Sequence, residues 1–200
     1  MLLNRIEYFL MNNPIRAAIQ RRVEARRLLR MGGAMEGGRA LEVGCGRGVG
    51  AEIIFSVFGA DSVDAFDLDP RMVVHARARL SQFGPRARVW VGDASAIGAP
   101  DETYDAVFDF GIIHHVPEWR CALAEVCRVL RPGGRFYAEE VLKRGVLSPI
   151  SRFLLEHPLT DRFDSAGFTR AMDATGLESI ATEELRGYFA WFTAQKRVGA

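Results

Sequence analysis

Four acidic side chains lie at or just past the ends of four apolar, β-favouring runs: Glu42 in Leu41-Glu42-Val43, then Asp67, Asp93 and Asp109. Glycines alternate directly after the first run, in Gly44-Cys45-Gly46-Arg47-Gly48, and lacking Cβ atoms they leave the backbone open to a ligand. A turn of this kind at the carboxyl end of a parallel strand is where nucleotide-like ligands sit in open α/β sheets. An acid about twenty residues further on, here Asp67, is placed to accept hydrogen bonds from both ribose hydroxyls. Adjacent His114 and His115 add a group whose ordinary pKa of ~6.5 suits proton removal from a phenol or alcohol. Gly46-x-Gly48-x-x-Ala51 also fits the loose dinucleotide fingerprint, so hydride transfer with a nicotinamide cofactor stays open at this point.

These residues need a scaffold that brings strand ends together, and the pattern supplies one. From Arg39 onward strand and helix signals alternate, which calls for a parallel sheet with helices on both faces. The expected strands are 39–44, 62–67, 88–92, 104–110, 135–142, 178–185 and 188–197, the last two forming a hairpin-like pair with Gly187 in its turn. Helices are expected near 49–58, 70–82, 118–130 and 164–175. Asp69, just before Pro70, reads as a helix N-cap. Upstream, Leu2, Leu3, Ile6, Phe9 and Leu10 recur at helical spacing, and a second helix starts near Pro14. Residues 1–39 hold eight arginines against Glu7, Glu24 and Glu36, an imbalance that reads as a solvated face, as a lid over the substrate site, or as a basic surface meeting anionic lipid or an acidic substrate. Gly32-Gly33 and Gly37-Gly38 read as a flexible link into the core.

Two hundred residues fit one domain with a small helical addition. Hydrophobic residues at 48% and charged residues at 26% argue against disorder, and no apolar run approaches the ~18 residues of a membrane span. Arg5 and Glu7 interrupt the apolar start, so a cytoplasmic protein is expected. Cys45, Cys121 and Cys127 show neither a metal-type nor a disulfide spacing. A net charge of +1 argues against nucleic acid as partner.

The set Leu41-Glu42-Val43-Gly44-Cys45-Gly46-x-Gly48, the acid at Asp67, Gly92-Asp93-Ala94 and Leu130-Arg131-Pro132-Gly133-Gly134, in this order and spacing, resembles the class I methyltransferases that use S-adenosylmethionine (SAM). The resemblance covers roughly residues 39–142 and leans toward the small-molecule branch of ubiquinone and menaquinone biosynthesis. It implies a doubly wound, seven-stranded, mostly parallel Rossmann-like sheet with N-terminal helices, divided as a helical lid (1–38) and a SAM-binding domain (39–200). It also implies SAM as cofactor and S-adenosylhomocysteine (SAH) as product. The site it implies comprises Glu42 near the amino group, Gly44, Cys45, Gly46 and Gly48 in the turn, Asp67 on the ribose, and Leu68 and Met72 on the adenine face. Asp93 and Ala94 would read the adenine edge, with Asp109 and Phe110 beside the methyl group. Leu130 to Gly134 is then a structural turn whose glycines end a helix.

His114 is the candidate base and His115 a core histidine. A related metal site is not expected, because the positions of two glutamate ligands hold Gly111 and His114. The Asn/Asp-Pro-Pro-aromatic motif is missing after the fourth strand, which argues against DNA adenine or protein glutamine as acceptor. Glu139 and Glu140 end the fifth strand, and only one of them can face the substrate side. The expected activity is methyl transfer to a small, lipophilic acceptor, from the apolar first helix, Phe153 to Leu155, and Tyr188, Phe189, Trp191 and Phe192. The competing readings are a SAM-binding module that docks on a partner or membrane without catalysis, and a nicotinamide dehydrogenase. Peripheral contact with anionic lipid through the arginine-rich helices is the further partner expected.

Overall fold

In the computed structural model, residues 13–147 and 161–199 are described. The first expected helix and the 153–155 cluster lie outside them. Seven strands form one sheet in the order β3-β2-β1-β4-β5-β7-β6. They are β1 (Arg39–Val43), β2 (Ser62–Asp67), β3 (Ala87–Val91), β4 (Tyr104–Phe110), β5 (Leu130–Val141), β6 (Leu177–Leu185) and β7 (Phe189–Lys196). All neighbours from β3 to β5 pair in parallel, while β7 runs antiparallel to both β5 and β6. The doubly wound, mostly parallel seven-stranded sheet with a terminal hairpin is therefore the fold.

Central strands are apolar throughout because both sheet faces are covered. Along β1, β4 and β5 the side chains alternate. Ala40, Ala106, Phe108 and Tyr137 enter one core with Leu28, Ile53 and Phe58, whereas Leu41, Val107, Phe136 and Ala138 enter the other with Leu123, Val126 and Phe168. On the first face Phe108 stacks on its cross-strand neighbour Tyr137 at 4.6 Å between centroids and 3° between planes, with Phe58 edge-on to both. Such pairs add ~0.5–1.5 kcal/mol each beyond the area they bury.

Helix α1 covers residues 14–32 as two α-helical pieces, Pro14–Ile19 and Ala25–Gly32, joined by a π turn at Gln20–Glu24. Asn13 caps it by accepting from the Arg16 N–H, and Pro14 occupies the first turn, where a missing N–H costs nothing. Helix α2 (Val49–Ile53, continuing as the π turn Ile54–Phe58) follows β1, and α3 (Pro70–Leu80) follows β2 with Asp69 as its N-cap. Helix α4 (Trp119–Val129), the short α5 (Lys143–Val146) and α6 (Ser165–Thr175) complete the described helices. None of the helices of the described residues is long and apolar enough to cross a membrane.

Two expectations change here. The link after α1 is pinned rather than loose: the Tyr137 hydroxyl donates to the carbonyls of Gly32 and Gly33, and Arg135 donates to that of Gly32. A Cβ at Gly32 would lie 2.5 Å from the Tyr137 ring, so glycine here permits close packing. Second, the glycines of the Leu130 to Gly134 turn do not end α4, which stops at Val129 with Leu130 already extended. Tyr104 pairs with Leu130 and Ala106 with Arg135, so residues 131–134 bulge out of β5, with Gly133 at φ +79°.

Candidate functional site

The carboxyl ends of β1, β2 and β4, the segment after β3, and the first turns of α1 enclose a cleft of about 720 Å³. That is within the size range of ligand pockets. Glu42, Gly44, Cys45, Gly46 and Asp67 line it. Leu68, Met72, Asp93, Ala94 and Phe110 line it as well, so ten of the thirteen expected site residues share one cavity.

The glycine turn makes that cavity. Gly44 (φ +64°) and Gly46 (φ +50°) hold left-handed conformations that L side chains rarely adopt. A Cβ on Gly44 would lie 2.5 Å from Ile112, whereas one on Gly46 would meet nothing within 4 Å and would project into open space. The Gly46 N–H donates to Asp67 Oδ2 at 2.8 Å and the Asp69 N–H to Oδ1 at 2.9 Å, which fixes that carboxylate at the end of β2. Burial pushes the Asp67 pKa upward. Asp93 is held by Ser95, whose backbone N–H and hydroxyl both reach Oδ1, and these bonds lower its pKa.

Glu42 is the unusual member. It is 2% exposed, and a Cβ on Gly50 of α2 would lie 1.9 Å from its Oε1, so the missing side chain makes room for the carboxylate beneath the helix. The Ala51 N–H supplies one hydrogen bond, while Oε2 has no hydrogen-bond partner among the described residues. Burial first, then the nearby Asp67 and Asp109, raise the Glu42 pKa well above the ordinary carboxylate value. A buried carboxylate held this way gains from a cation placed opposite it. The cleft thus offers an acid for a cationic end, glycine backbone for close approach, and an acid for paired hydroxyls, a donor set that fits SAM.

Three expected site residues stand elsewhere. Asp109 is fully buried and on the sheet face opposite Glu42 and Phe110; it accepts from the Ile112 N–H and lies against Glu140. Strand alternation separates it from its neighbour Phe110, which is on the cleft side. Gly48 (φ +80°) packs on α3, where a Cβ would lie 3.3 Å from Ala76, so this glycine serves helix contact rather than ligand approach. His114, expected as the base, is buried outside the cleft with its Nδ1 2.5 Å from Glu140 Oε2, and burial lowers its pKa to about 4. His115, expected as a buried core histidine, is buried at 8% exposure, and it is the histidine that borders the cleft. The pair belongs to a single 3-10 turn, Ile113–His115, with the two rings packed 4.2 Å apart between centroids, and Glu140 holds that turn by accepting the Ile113 and His114 N–H groups. Neither glutamate at the end of β5 reaches the cleft. Glu139 pairs with Arg16 and accepts from the Trp191 indole, and Trp191 and Phe192 are core.

The lid expected from residues 1–38 reaches the cleft through Asn13, Pro14, Ala17 and Gln20, which the sequence did not single out, and the lining by Ile112 and Val116 to Glu118 after β4 was missed. Among the described residues there is no cluster of three or more His, Cys, Asp or Glu side chains able to hold a metal ion.

Comparison with known proteins agrees with this geometry. A methyltransferase domain model matches residues 40–134. The chain is 35% identical, over 62% of its length and 45% of the relative, to the fatty-acid O-methyltransferase of Mycolicibacterium smegmatis. It is 36% identical, over 52% of its length and 38% of the relative, to the phthiotriol/phenolphthiotriol dimycocerosates methyltransferase of Mycobacterium tuberculosis. The chain spans about half the length of the curated relatives it matches. A SAM-dependent methyltransferase from Aquifex aeolicus superposes with a TM-score of 0.72 over 94% of this chain and 96% of that one at 18% identity, and the cyclase SpnF with 0.73 over 88% and 80% at 20% identity. These two likenesses show the fold alone. Taken with the glycine turn and its acids, the matched segment makes residues 40–134 similar to methyltransferase domains, among them proteins named as S-adenosylmethionine-dependent.

Proposed function

We propose that the chain transfers the methyl group of SAM to a small, lipophilic acceptor. The observation that carries this reading is the Glu42 carboxylate, buried with one oxygen unpartnered, in the same cleft as the open Gly46 backbone and the Asp67 carboxylate. In the reading, Glu42 takes the ammonium end, Gly44 to Gly46 pass beneath the cofactor, and Asp67 accepts from the ribose hydroxyls. Leu68 and Met72 pack on the adenine, whose edge is read by Asp93 and the Ala94 N–H. When bound, SAM supplies a methyl group on a sulfonium, open to in-line attack. The protein's part is to align the acceptor, exclude water and, for a hydroxyl acceptor, take its proton. Alignment of this kind is worth several orders of magnitude in rate. His115 on the cleft wall is the base in this reading, and a carboxylate acceptor needs none.

The acceptor side is walled by Ile112, Val116, Pro117, Pro14 and Ala17, which supports an apolar acceptor. The names of the fatty-acid and phthiotriol relatives agree with that class. Residues 1–38 act as a lid, with α1 forming part of the roof. Peripheral contact of this arginine-rich segment with anionic lipid would put the mouth of the cleft where such acceptors reside.

Calorimetric titration with SAM, SAH and NAD tests the cofactor, and transfer of labelled methyl from SAM to fatty acids, phenols and quinols tests the acceptor. We expect binding of SAM and SAH and not of NAD. Asp67→Ala should weaken SAH ~10–100-fold, from the loss of hydrogen bonds to a charged acceptor at ~1.5–3 kcal/mol each. Absence of SAM and SAH binding would overturn the reading, and cofactor binding without transfer to any apolar acceptor would overturn the acceptor class.

A further inference from the structure

Helix α1 turns two unlike sides to its surroundings. Ala25, Leu28 and Gly32 are buried on the sheet, and Pro14, Ala17 and Gln20 line the cleft. Arginines near this inner side are partnered: Arg16 with Glu24 and Glu139, and Arg27 with Glu183 at 3.3 Å while it sits over the Trp191 ring. The outer side carries two ridges at four-residue spacing. One is apolar, with Ile15 73% exposed, Ile19 44% and Val23 52%. The other begins where the apolar row ends and holds Arg22, Arg26 and Arg30, all exposed and without an ion pair among the described residues. Residues four apart drift around a regular helix, and the wider π turn at Gln20–Glu24 takes back part of that drift, keeping each ridge on one side.

Exposed arginines alone describe a solvated surface. Three large aliphatic side chains exposed at four-residue spacing on the same helix do not, because each leaves apolar area in water at a cost that burial in an apolar layer would recover. Aliphatic side chains beside a row of unpaired guanidinium groups match an anionic lipid interface, where the apolar row enters the headgroup–acyl boundary and the arginines meet lipid phosphates. We propose that this outer face of α1 docks on an anionic bilayer. Because the inner face of the same helix roofs the cleft, docking brings the cleft to the membrane surface. The proposal rests on the helix face and not on methyl transfer, so SAH titration of the same samples separates failure of one from failure of the other.

The test is flotation of the purified chain with vesicles of phosphatidylglycerol and phosphatidylcholine in equal parts, and with phosphatidylcholine alone, at low and high salt. Binding is expected with the anionic vesicles only, and should weaken as salt screens the surface charge. Joint Arg22→Glu, Arg26→Glu and Arg30→Glu should lower partitioning roughly a hundredfold, at about fivefold or more per arginine near such a surface. Joint Ile15→Ser, Ile19→Ser and Val23→Ser should lower it more than about tenfold. Arg170→Glu, the same reversal at a single exposed site on α6, should leave it unchanged where Arg26→Glu alone lowers it, and unaltered circular dichroism would show that each variant is folded. Failure to bind the anionic vesicles, equal binding to neutral ones, or binding indifferent to both triple substitutions would overturn the proposal. So would a dimer in sedimentation that the same substitutions dissolve, since a second copy would then cover the face.

Discussion

Glu42→Gln should make the ligand-free protein more stable and its cofactor affinity weaker, and the two effects have one origin. In the native protein the Glu42 carboxylate is buried, accepts a single hydrogen bond from the Ala51 N–H, and has Asp67 and Asp109 nearby as like charges. Glutamine keeps an acceptor for Ala51, meets no opposing donor, and removes the buried charge together with its repulsion from the nearby Asp67 and Asp109. Replacing an uncompensated buried charge by a neutral group gains ~1–3 kcal/mol, at the modest end for sites that relax. For a chain of this size that is a rise in Tm of ~3–10 °C. The sign in pH follows from the raised pKa. An acid that holds its proton more tightly when folded favours the folded state at low pH, and that advantage is lost as pH rises from the unfolded value through the folded one. The variant has no such loss, so its advantage over the native protein should widen with pH across that window. Affinity for SAH should fall ~10–100-fold through loss of the charge-assisted bond to the ammonium. Thermal unfolding with and without SAH, at several pH values, measures both. Asp67→Asn is the contrast: each Asp67 oxygen accepts a backbone N–H, so an amide there leaves one donor facing another and should cost ~1–3 kcal/mol. A Glu42→Gln protein that is less stable without ligand, or that binds SAH as tightly as before, would refute the reasoning.

Two further outcomes can be checked on the same samples. Native stability should fall between pH 6.5 and 8, because burial raises Glu140 to about 7 and Glu139 to about 8, above their ordinary 4.5. The opposing contribution of His114, whose pKa is lowered to about 4, is complete once pH passes its ordinary 6.5. The expected loss is about 2 kcal/mol, read as a drop in the urea midpoint, and Glu139→Gln should remove the greater part of it. Gly46→Ala and Gly48→Ala should separate function from stability. Both put a side chain at positive φ, which costs ~1–2 kcal/mol, yet only the Gly46 Cβ projects into the open space of the cleft while the Gly48 Cβ presses on α3. SAH titration and thermal melts should therefore show Gly46→Ala losing mainly affinity and Gly48→Ala mainly stability.

What the residues reveal about themselves depends on whether a regular period carries the information. The strands are legible because β1 and β4 are buried on both faces, so that apolar runs ending in glycine or acid mark their limits closely, whereas β5 begins five residues before its expected start because the bulge at 131–134 hides its first residue. The cofactor end of the cleft is legible for a related reason: Glu42, Asp67 and the glycines sit at strand ends, and strand ends in a parallel sheet converge. The same rule of alternation that places Phe110 on the cleft puts Asp109 on the other face, where it meets Glu140. That correction was available from spacing once Glu42 was assigned to the cleft, since Glu42 pairs with Phe108 and so shares a face with Phe108 and Phe110, not with Asp109. His114 and His115 are a different matter. Their 3-10 turn has no strand partner, and its orientation comes from Glu140 reaching across from β5 to accept two of its N–H groups. No local pattern records a bond between residues 26 and 27 positions apart in the chain. Helix α1 joins both cases. Its period shows that it is amphipathic, but only the packing of Ala25, Leu28 and Gly32 on the sheet determines which side roofs the cleft and which leaves Ile15, Ile19 and Val23 outside. A substrate site completed by such a helix can be altered from either side, through the residues that line it or through whatever surface the outer ridges meet.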